Sequence, residues 1–548
     1  MNHDAPAHAL RAPEGFRGAF RTDERACAVY SESAGVARII PAAVAVPADA
    51  DDVVTLVRWA AAHRVPLVPR GSASSMANGA LGRGVALDLS RLDWMSPVDA
   101  AGAVVACGPG ALCGVVDAAA HAHGLRFAVD PSSRAFCTMG GMAATNAAGA
   151  RTVKLGAMRA WVRGLDCVFA DGSRAWVRRG APLPRVEALR VFQHDVSRDA
   201  IDRGAGLAHI GVRKESSGYA LAEYARTGDP VDLLVGSEGT LAIFVGLELA
   251  LAPEPAARTS LLASFTTLDS AVQAAGRLTA LGASAVELLD RTFLDVVRAE
   301  AAALSIPPSS DAVLLIEAEG STPADADTLA LRLADACRVA LAAHVVLAPN
   351  AESAARMWHI RRIAGPILNS LDPHLTNMQL IEDGAVPPGR FPDYVRGVRA
   401  ALDRHGVRGV IFGHAGDAHA HVDTLLDVGE ADWRERARAL VEDVTGLVAL
   451  LGGTLAAEHG DGRLRTPLMF RVWDARAMAL FARVKQAFDP LNILNPGVKV
   501  PAAGDDPLAS VKYDPALSPL PADARAALDR VVRETAWASF RLAMLADG

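Results

Sequence analysis

Apolar and polar residues follow two different rhythms along the chain. From Arg38 to Pro255, short apolar runs alternate with glycine-rich turns. Pro41–Val46, Leu67–Val68, Val85–Leu89 and Val104–Cys107 read as strands, and Asp52–His63 reads as a helix between the first two, which makes a β-α-β unit. Leu233–Val235 and Ile243–Leu251 read as the last strands before the break at Pro253-Glu254-Pro255. From about Ala256 to Leu480 the apolar periods lengthen. Leu261–Phe265, Ala285–Leu289 and Val410–His414 read as strands, and Leu268–Leu281 and Asp325–Ala342 as helices, so this region is an α+β sheet covered by helices. A helix from Met478 runs into Phe488-Asp489-Pro490 and the turn Asn495-Pro496-Gly497. Pro501–Pro521 is proline-rich and polar and reads as a surface tail or linker. Ala522–Met544 has an amphipathic helical pattern suited to packing on the body or on a partner.

Composition narrows the class. With 548 residues, 51% hydrophobic and 21% charged, the chain has several domains' worth of buried core. Its net charge is −7 and it has no long basic run, which argues against nucleic acid as a partner. Arginine far outnumbers lysine, which occurs only as Lys154, Lys214, Lys485, Lys499 and Lys512. The first twenty residues lack the apolar stretch of a secretory signal, and the uncharged runs are shorter than a membrane span. The six cysteines form no CxxC pair, so reduced, buried thiols in a cytoplasmic protein are expected.

Neither GxxxxGK[ST] nor GxGxxG occurs, which removes the P-loop and the ordinary dinucleotide fingerprint. Three other glycine-rich blocks stand out. Pro69-Arg70-Gly71-Ser72-Ala73-Ser74-Ser75 follows a strand, and its small residues let backbone N–H groups converge on an anion. Asp130-Pro131-Ser132-Ser133 leads into Thr138-Met139-Gly140-Gly141-Met142-Ala143-Ala144-Thr145-Asn146-Ala147-Ala148-Gly149. Gly236-Ser237-Glu238-Gly239-Thr240-Leu241 opens the last strand. In this order the blocks resemble the FAD-binding domain of vanillyl-alcohol-oxidase-type flavoproteins, over Arg38–Pro255. The resemblance implies that the FAD pyrophosphate lies on Arg70, Gly71, Ser72, Ala73, Ser74 and Ser75. It places Thr138, Gly140, Gly141, Ala144 and Asn146 along the ribityl chain and isoalloxazine, with Asp130, Pro131, Ser132, Gly149, Glu238, Gly239, Ile243 and Asn495 completing the site. The first loop has no histidine or cysteine for covalent attachment, and Cys137 reads as a packed thiol, so non-covalent FAD is expected.

A second constellation is Gly413-His414-Ala415-Gly416-Asp417-Ala418-His419-Ala420-His421-Val422-Asp423, followed by Glu458-His459-Gly460-Asp461-Gly462. Residues seven apart on one strand face opposite sides, but the Gly416-Asp417 turn allows His414 and His421 to converge. Two imidazoles and a carboxylate with open positions suit Zn²⁺, Mn²⁺ or Fe²⁺. Adjacent Glu458 and His459 must point apart, so one can ligate a metal while the other faces a substrate. In Trp358-His359-Ile360-Arg361-Arg362, Arg361 offers a planar fork for a carboxylate.

These segments, with Phe488-Asp489-Pro490 and Leu494-Asn495-Pro496-Gly497, resemble the carboxy-terminal half of FAD-linked D-2-hydroxy-acid dehydrogenases. The resemblance implies His414, His421 and Glu458 as ligands of Zn or Mn, His459 as base, Arg361 as substrate clamp, and Glu382–Pro387 beside the substrate. Three departures stand out: Ala418-His419 replaces Gly-Asn, Asp423 replaces Asn, and Asp461 gives the EHGDG of a subgroup that continues into an iron–sulfur domain. His419 is thereby a substitute ligand or a substrate contact.

The expected fold is α+β, a two-subdomain FAD-binding domain followed by a ferredoxin-like α+β substrate domain. The expected divisions are an extension (1–37), the FAD domain (38–255), a substrate domain with the metal site (256–480), a return to the FAD domain (481–500) and a tail (501–548). The expected activity is oxidation of a small D-2-hydroxy acid such as D-lactate. The alternatives are an alcohol oxidase on the same scaffold, or a flavin-carrying subunit of an electron-transfer complex. A quinone, cytochrome or iron–sulfur protein would accept the electrons. A homodimer and peripheral membrane association are compatible with the sequence.

Overall fold

The computed structural model describes residues 10–372 and 374–545. Three sheets carry the fold. The first orders its strands Ala19–Arg21, Ala43–Val46, Val85–Asp88 and Leu67–Arg70; the last three run parallel. The helix Ala50–His63 crosses over from Ala43–Val46. Asp49 caps it by accepting from the Asp51 and Asp52 N–H groups, and Val53, Leu56, Val57 and Ala60 at helical spacing are buried against the sheet. The second sheet is antiparallel, in the order Val104–Cys107, Ile243–Ala250, Val162–Val168 and Arg174–Arg178. The helix Ala475–Phe488 packs Phe481, Val484 and Phe488 into the core of this second layer.

The third sheet is antiparallel and has eight strands. Its order is His344–Leu347, Ala257–Phe265, Ala312–Gly320, Ala285–Asp290, Arg408–His414, His419–Leu426 and Thr376–Met378, with Gly384–Ala385 also pairing to His419–Leu426. Side chains alternate across a strand, so its two faces differ. One face supplies Leu261, Leu288, Leu314, Ile411 and Val422 to a core shared with the helices Leu268–Ala280, Pro323–Val339, Phe391–Arg404 and Trp433–Leu450. The opposite face carries Leu262, Leu315 and Val410 at one end, under the helix Ala351–Leu371, and the polar residues described below.

Three expectations change. Leu233–Val235 is not a strand: Pro230 at the first turn and the Asp229 side chain capping Val231 N–H start a helix over Pro230–Leu234. The terminal helix stops at Arg533 rather than Met544, with Thr535 at φ 53° just beyond. Pro501–Pro521 is bound to the body as well as polar. Ser510 O accepts from Arg38 N–H (2.7 Å), Val36 O accepts from Lys512 N–H (2.7 Å), and Leu508 and Val511 are buried. Among the described residues, no helix is long and apolar enough to cross a membrane.

Candidate active site between the glycine loops and the third sheet

The strands Arg408–His414 and His419–Leu426 form a hairpin in which His414 faces His419 and Phe412 faces His421. Cross-strand partners share a face, and so do residues two apart. His414, His419, His421 and Asp423 therefore all lie on one side, an arrangement that spacing along a single strand forbids. His414 Nε2 is 3.3 Å from His421 Nε2 and 3.3 Å from Glu458 Oε1, and His421 Nε2 is 3.4 Å from the same oxygen. The neighbouring strand contributes Glu287, whose Oε1 is 2.6 Å from His414 Nδ1 and whose other oxygen pairs with Arg361. That contact turns His414 Nε2 toward Glu458 and His421.

The charges around this centre are buried and mutually committed. Burial pushes the Glu287 carboxyl up, but Arg361 and His414 hold it down at about 2. Burial likewise opposes ionisation of Glu458, and Lys214 (Nζ–Oε2 2.9 Å) and His414 keep it well below the usual range. His421 is raised to about 10 against its burial by Glu382 and Glu458. His459 gives Nδ1 to Glu382 Oε2 at 2.7 Å, leaving Nε2 directed 3.6 Å from Glu458 Oε1. Burial lowers its pKa, and Glu382 and Asp383 overcome that and raise it. Asp383 accepts from His459 N–H at 2.9 Å, while Arg465 bonds Glu382.

Across a cavity of about 1040 Å³, the opposite wall is backbone and small side chains. Arg70, Gly71, Ser72, Ala73, Ser74, Ser75, Asp130, Pro131, Ser132, Thr138, Gly140, Gly141, Ala144, Gly149, Glu238, Gly239 and Ile243 all line it, together with Arg361, His414, His421, Glu458 and His459. A Cβ on Gly71 would sit 2.1 Å from Thr138 Oγ1, and one on Gly140 2.5 Å from Pro109 Cβ, so these loops interlock at distances only glycine permits.

Two family models match this chain. "FAD linked oxidases, C-terminal domain" covers residues 254–498, and "FAD binding domain" covers 41–178. An uncharacterised FAD-linked oxidoreductase of Mycobacterium tuberculosis is 30% identical over 84% of this chain and 90% of its own length. This chain belongs to the FAD-linked oxidoreductases. The glycolate oxidase subunit GlcD of Bacillus subtilis is 29% identical over 84% of the chain and 88% of that protein. The 4-ethylphenol oxidase of Gulosibacter chungangensis shares the fold, with a TM-score of 0.64 at 16% identity, over 88% of this chain and 94% of that one.

The glycine-lined wall fits FAD on the observations of this structure: loops that admit no Cβ, and buried Arg70 N–H groups with no acceptor among the described residues. The acid–imidazole wall fits a cation. His414, His419, His421 and Glu458 place ligand atoms within 4.8 Å of one another, and so do Glu382, Asp383, His421 and His459. In the second group Glu382 and Asp383 are already spent on Arg465, His459 and backbone N–H groups, which leaves the first as the better donor set.

Two sequence-derived cofactor residues are not on the cavity wall. Asn146 caps the helix Met139–Thr145 at φ 53°, and its side chain accepts from Arg159 N–H and donates to Glu215 O. Asn495 donates to Gly79 O and Glu238 O, tying two loops together from behind. Both are short amides bonding backbone groups, and Asn495 Oδ1 also accepts from Arg463 Nη2 (2.8 Å), so each braces the cradle from outside it. Glu238 lines the cavity but commits its carboxylate to the Asp461 and Gly462 N–H groups (2.7 and 2.9 Å) and to Lys499 (2.9 Å). His419 is fully buried behind His414 and His421 and does not reach the cavity; its Nε2 is 3.0 Å from Asp383 Oδ1. The Arg362 side chain is outside the described residues. Glu287, Lys214 and Arg465 were not foreseen. Only Lys214 carried a signal: lysine is scarce here, and Lys214, Lys485 and Lys499 are all buried in ion pairs.

Proposed function

We propose that the protein oxidises a small 2-hydroxy acid, D-lactate or a similar acid, to the 2-oxo acid, using non-covalent FAD and a divalent Zn or Mn ion. The observation that carries this reading is the meeting of His414 Nε2, His421 Nε2 and Glu458 Oε1 within 3.3–3.4 Å, beside His459 and Arg361 and opposite the glycine loops. His414, His421 and Glu458 would hold the metal, with His419 near enough to add a third imidazole. When bound, the flavin supplies the acceptor for the hydride leaving C2, and the metal supplies a Lewis acid that makes a nearby hydroxyl more acidic. His459 Nε2 takes the hydroxyl proton, while Glu382 holds Nδ1–H and so fixes the tautomer. Arg361, anchored by Glu287 and lying 5.6 Å over the Phe412 ring, presents its remaining N–H groups to the substrate carboxylate. With FAD bound, the oxidation would balance as one proton to His459 and one hydride, with its electron pair, to the flavin.

The relative named as a glycolate oxidase subunit supports an α-hydroxy acid as substrate, and its naming as a subunit supports delivery of electrons to a partner. Chelation, or His414→Ala combined with His421→Ala, is expected to remove metal and dye-linked 2-hydroxy-acid oxidation together while FAD stays bound. Full activity in metal-free protein would defeat the metal-assisted step. Protein that takes up no FAD on reconstitution would defeat the whole reading.

A further inference from the structure

The two carboxylate oxygens of Glu458 face two different neighbourhoods. Oε1 lies 3.3 Å from His414 Nε2 and 3.4 Å from His421 Nε2, in the cavity wall. Oε2 accepts from Lys214 Nζ at 2.9 Å. Lys214 is not part of that wall, and its side chain is fully buried. Its ammonium also donates to Gly149 O (3.2 Å) and stands 3.6 Å from Asp417 Oδ2, in the turn between the two histidine strands. Gly149 is closely packed in turn, since a Cβ there would sit 2.4 Å from Asp130 O. The chain that carries Lys214 is stitched to the chain that carries Glu458. Ser216 N–H donates to Ala456 O (2.8 Å) and Ser216 Oγ to Ala457 O (3.1 Å), while Ser217 Oγ and Gly218 N–H each donate to Asp461 at 2.8 Å. An ammonium fixed from so many sides does not follow Glu458 if that side chain turns. Breaking the pair would strand a buried charge, which is costly.

We propose that Lys214 is a positioning residue that sets how Glu458 meets a metal: with Oε2 held, Glu458 gives one oxygen and does not chelate. This rests on the metal reading above and deepens it. Two imidazoles and a single carboxylate oxygen leave coordination positions for the hydroxyl and one carboxylate oxygen of a 2-hydroxy acid. A chelating Glu458 would fill one of those positions, and a catalytic metal site works by keeping them open. Lys214 touches neither substrate nor cation; it acts through Glu458. Asp417 gains a part as well, as a second carboxylate that steadies the same ammonium.

The test uses full-length, FAD-loaded protein charged with Zn²⁺, with zinc X-ray absorption reporting the carboxylate mode and a competing chelator reporting zinc affinity. Wild type is expected to show a carboxylate bound through one oxygen. Lys214→Met, which keeps the length and loses the charge, is expected to show a chelating carboxylate and zinc held at least as tightly. Its 2-hydroxy-acid oxidation should nevertheless fall by about 10- to 100-fold. Lys214→Arg should return the one-oxygen mode and part of the rate, and Lys214→Gln takes the place of Lys214→Met if the latter does not retain FAD. A chelating carboxylate in wild type, or the same mode in wild type and the uncharged variant, overturns the proposal. So does zinc lost in step with activity, which is the mark of a merely structural residue. Wild-type protein that takes up no zinc overturns the metal reading and this inference with it, whereas zinc bound identically in wild type and the uncharged variant overturns this inference alone.

Discussion

Set side by side, the two walls of the cavity achieve order by opposite routes. The glycine loops are held by backbone hydrogen bonds and by the absence of side chains, as where Gly71 meets Thr138. The facing sheet is held by side chains that are hard to remove singly, because buried acids there answer buried bases, as Glu287 answers both His414 and Arg361. One wall is damaged by adding atoms, the other by subtracting charge. The lesson is that the loops can cradle a cofactor without taking part in proton transfer, while the sheet face can move protons but must be assembled whole.

That contrast is broken most sharply at His459. His459→Ala is expected to slow flavin reduction by about 10²- to 10⁴-fold with FAD content unchanged, read by stopped-flow bleaching of the flavin. A variant that reduces flavin at the wild-type rate would move the base elsewhere on the sheet. Arg361 sharpens the comparison at lower amplitude. Arg361→Ala should reduce kcat/KM for 2-hydroxy acids by about 10- to 100-fold and leave any turnover of neutral alcohols little changed. Equal losses for both substrate kinds would reduce Arg361 to a partner for Glu287.

A third test, on stability and not on rate, concerns the seam where the walls meet. Glu319, on the strand Ala312–Gly320, pairs with Arg126 (2.9 Å) and Lys154 (3.0 Å), both outside the third sheet. Burial raises its pKa, but those cations hold it at about 2, below the ordinary 4.5. Because the folded pKa is depressed, its contribution is complete above about pH 4.5 and is lost as pH falls toward 2. Glu319→Gln should therefore cost about 3 kcal/mol at neutral pH and progressively less below pH 4.5, measured by denaturant midpoints across that range. A cost independent of pH would remove the ion pairs from the account.

Much of this was legible in the sequence where function is written in contiguous residues. The three glycine blocks and the pair Glu458-His459 occupy unbroken stretches, and the turn at Gly416-Asp417 correctly signalled that His414 and His421 meet. What was hidden comes from distance. Glu287 is 127 residues from His414, and Lys214 is 244 from Glu458, so a lone acid or base in an apolar run gave no sign of its partner. Asn146 and Asn495 show a different limit: each sits inside a recognisable motif, but the backbone groups its amide bonds lie far away in sequence or behind the loop. Leu233–Val235 was read from three apolar residues, while the decisive residues were Asp229 and Pro230 just before them.

The hairpin register bears on which length changes this fold can absorb. In His419–Leu426 the odd positions face the cavity side, and the even positions Ala420, Val422 and Leu426 belong to the packed core. A single-residue insertion or deletion between Ala418 and His421 would rotate the strand by half a pleat, exchanging imidazoles for aliphatics throughout the stretch. Changes in steps of two would keep the faces but carry each histidine about 7 Å along the strand. Length variation among descendants of this sequence should therefore be absent from this hairpin and gather in segments such as the turn near Gly429, where the chain is exposed and carries no register.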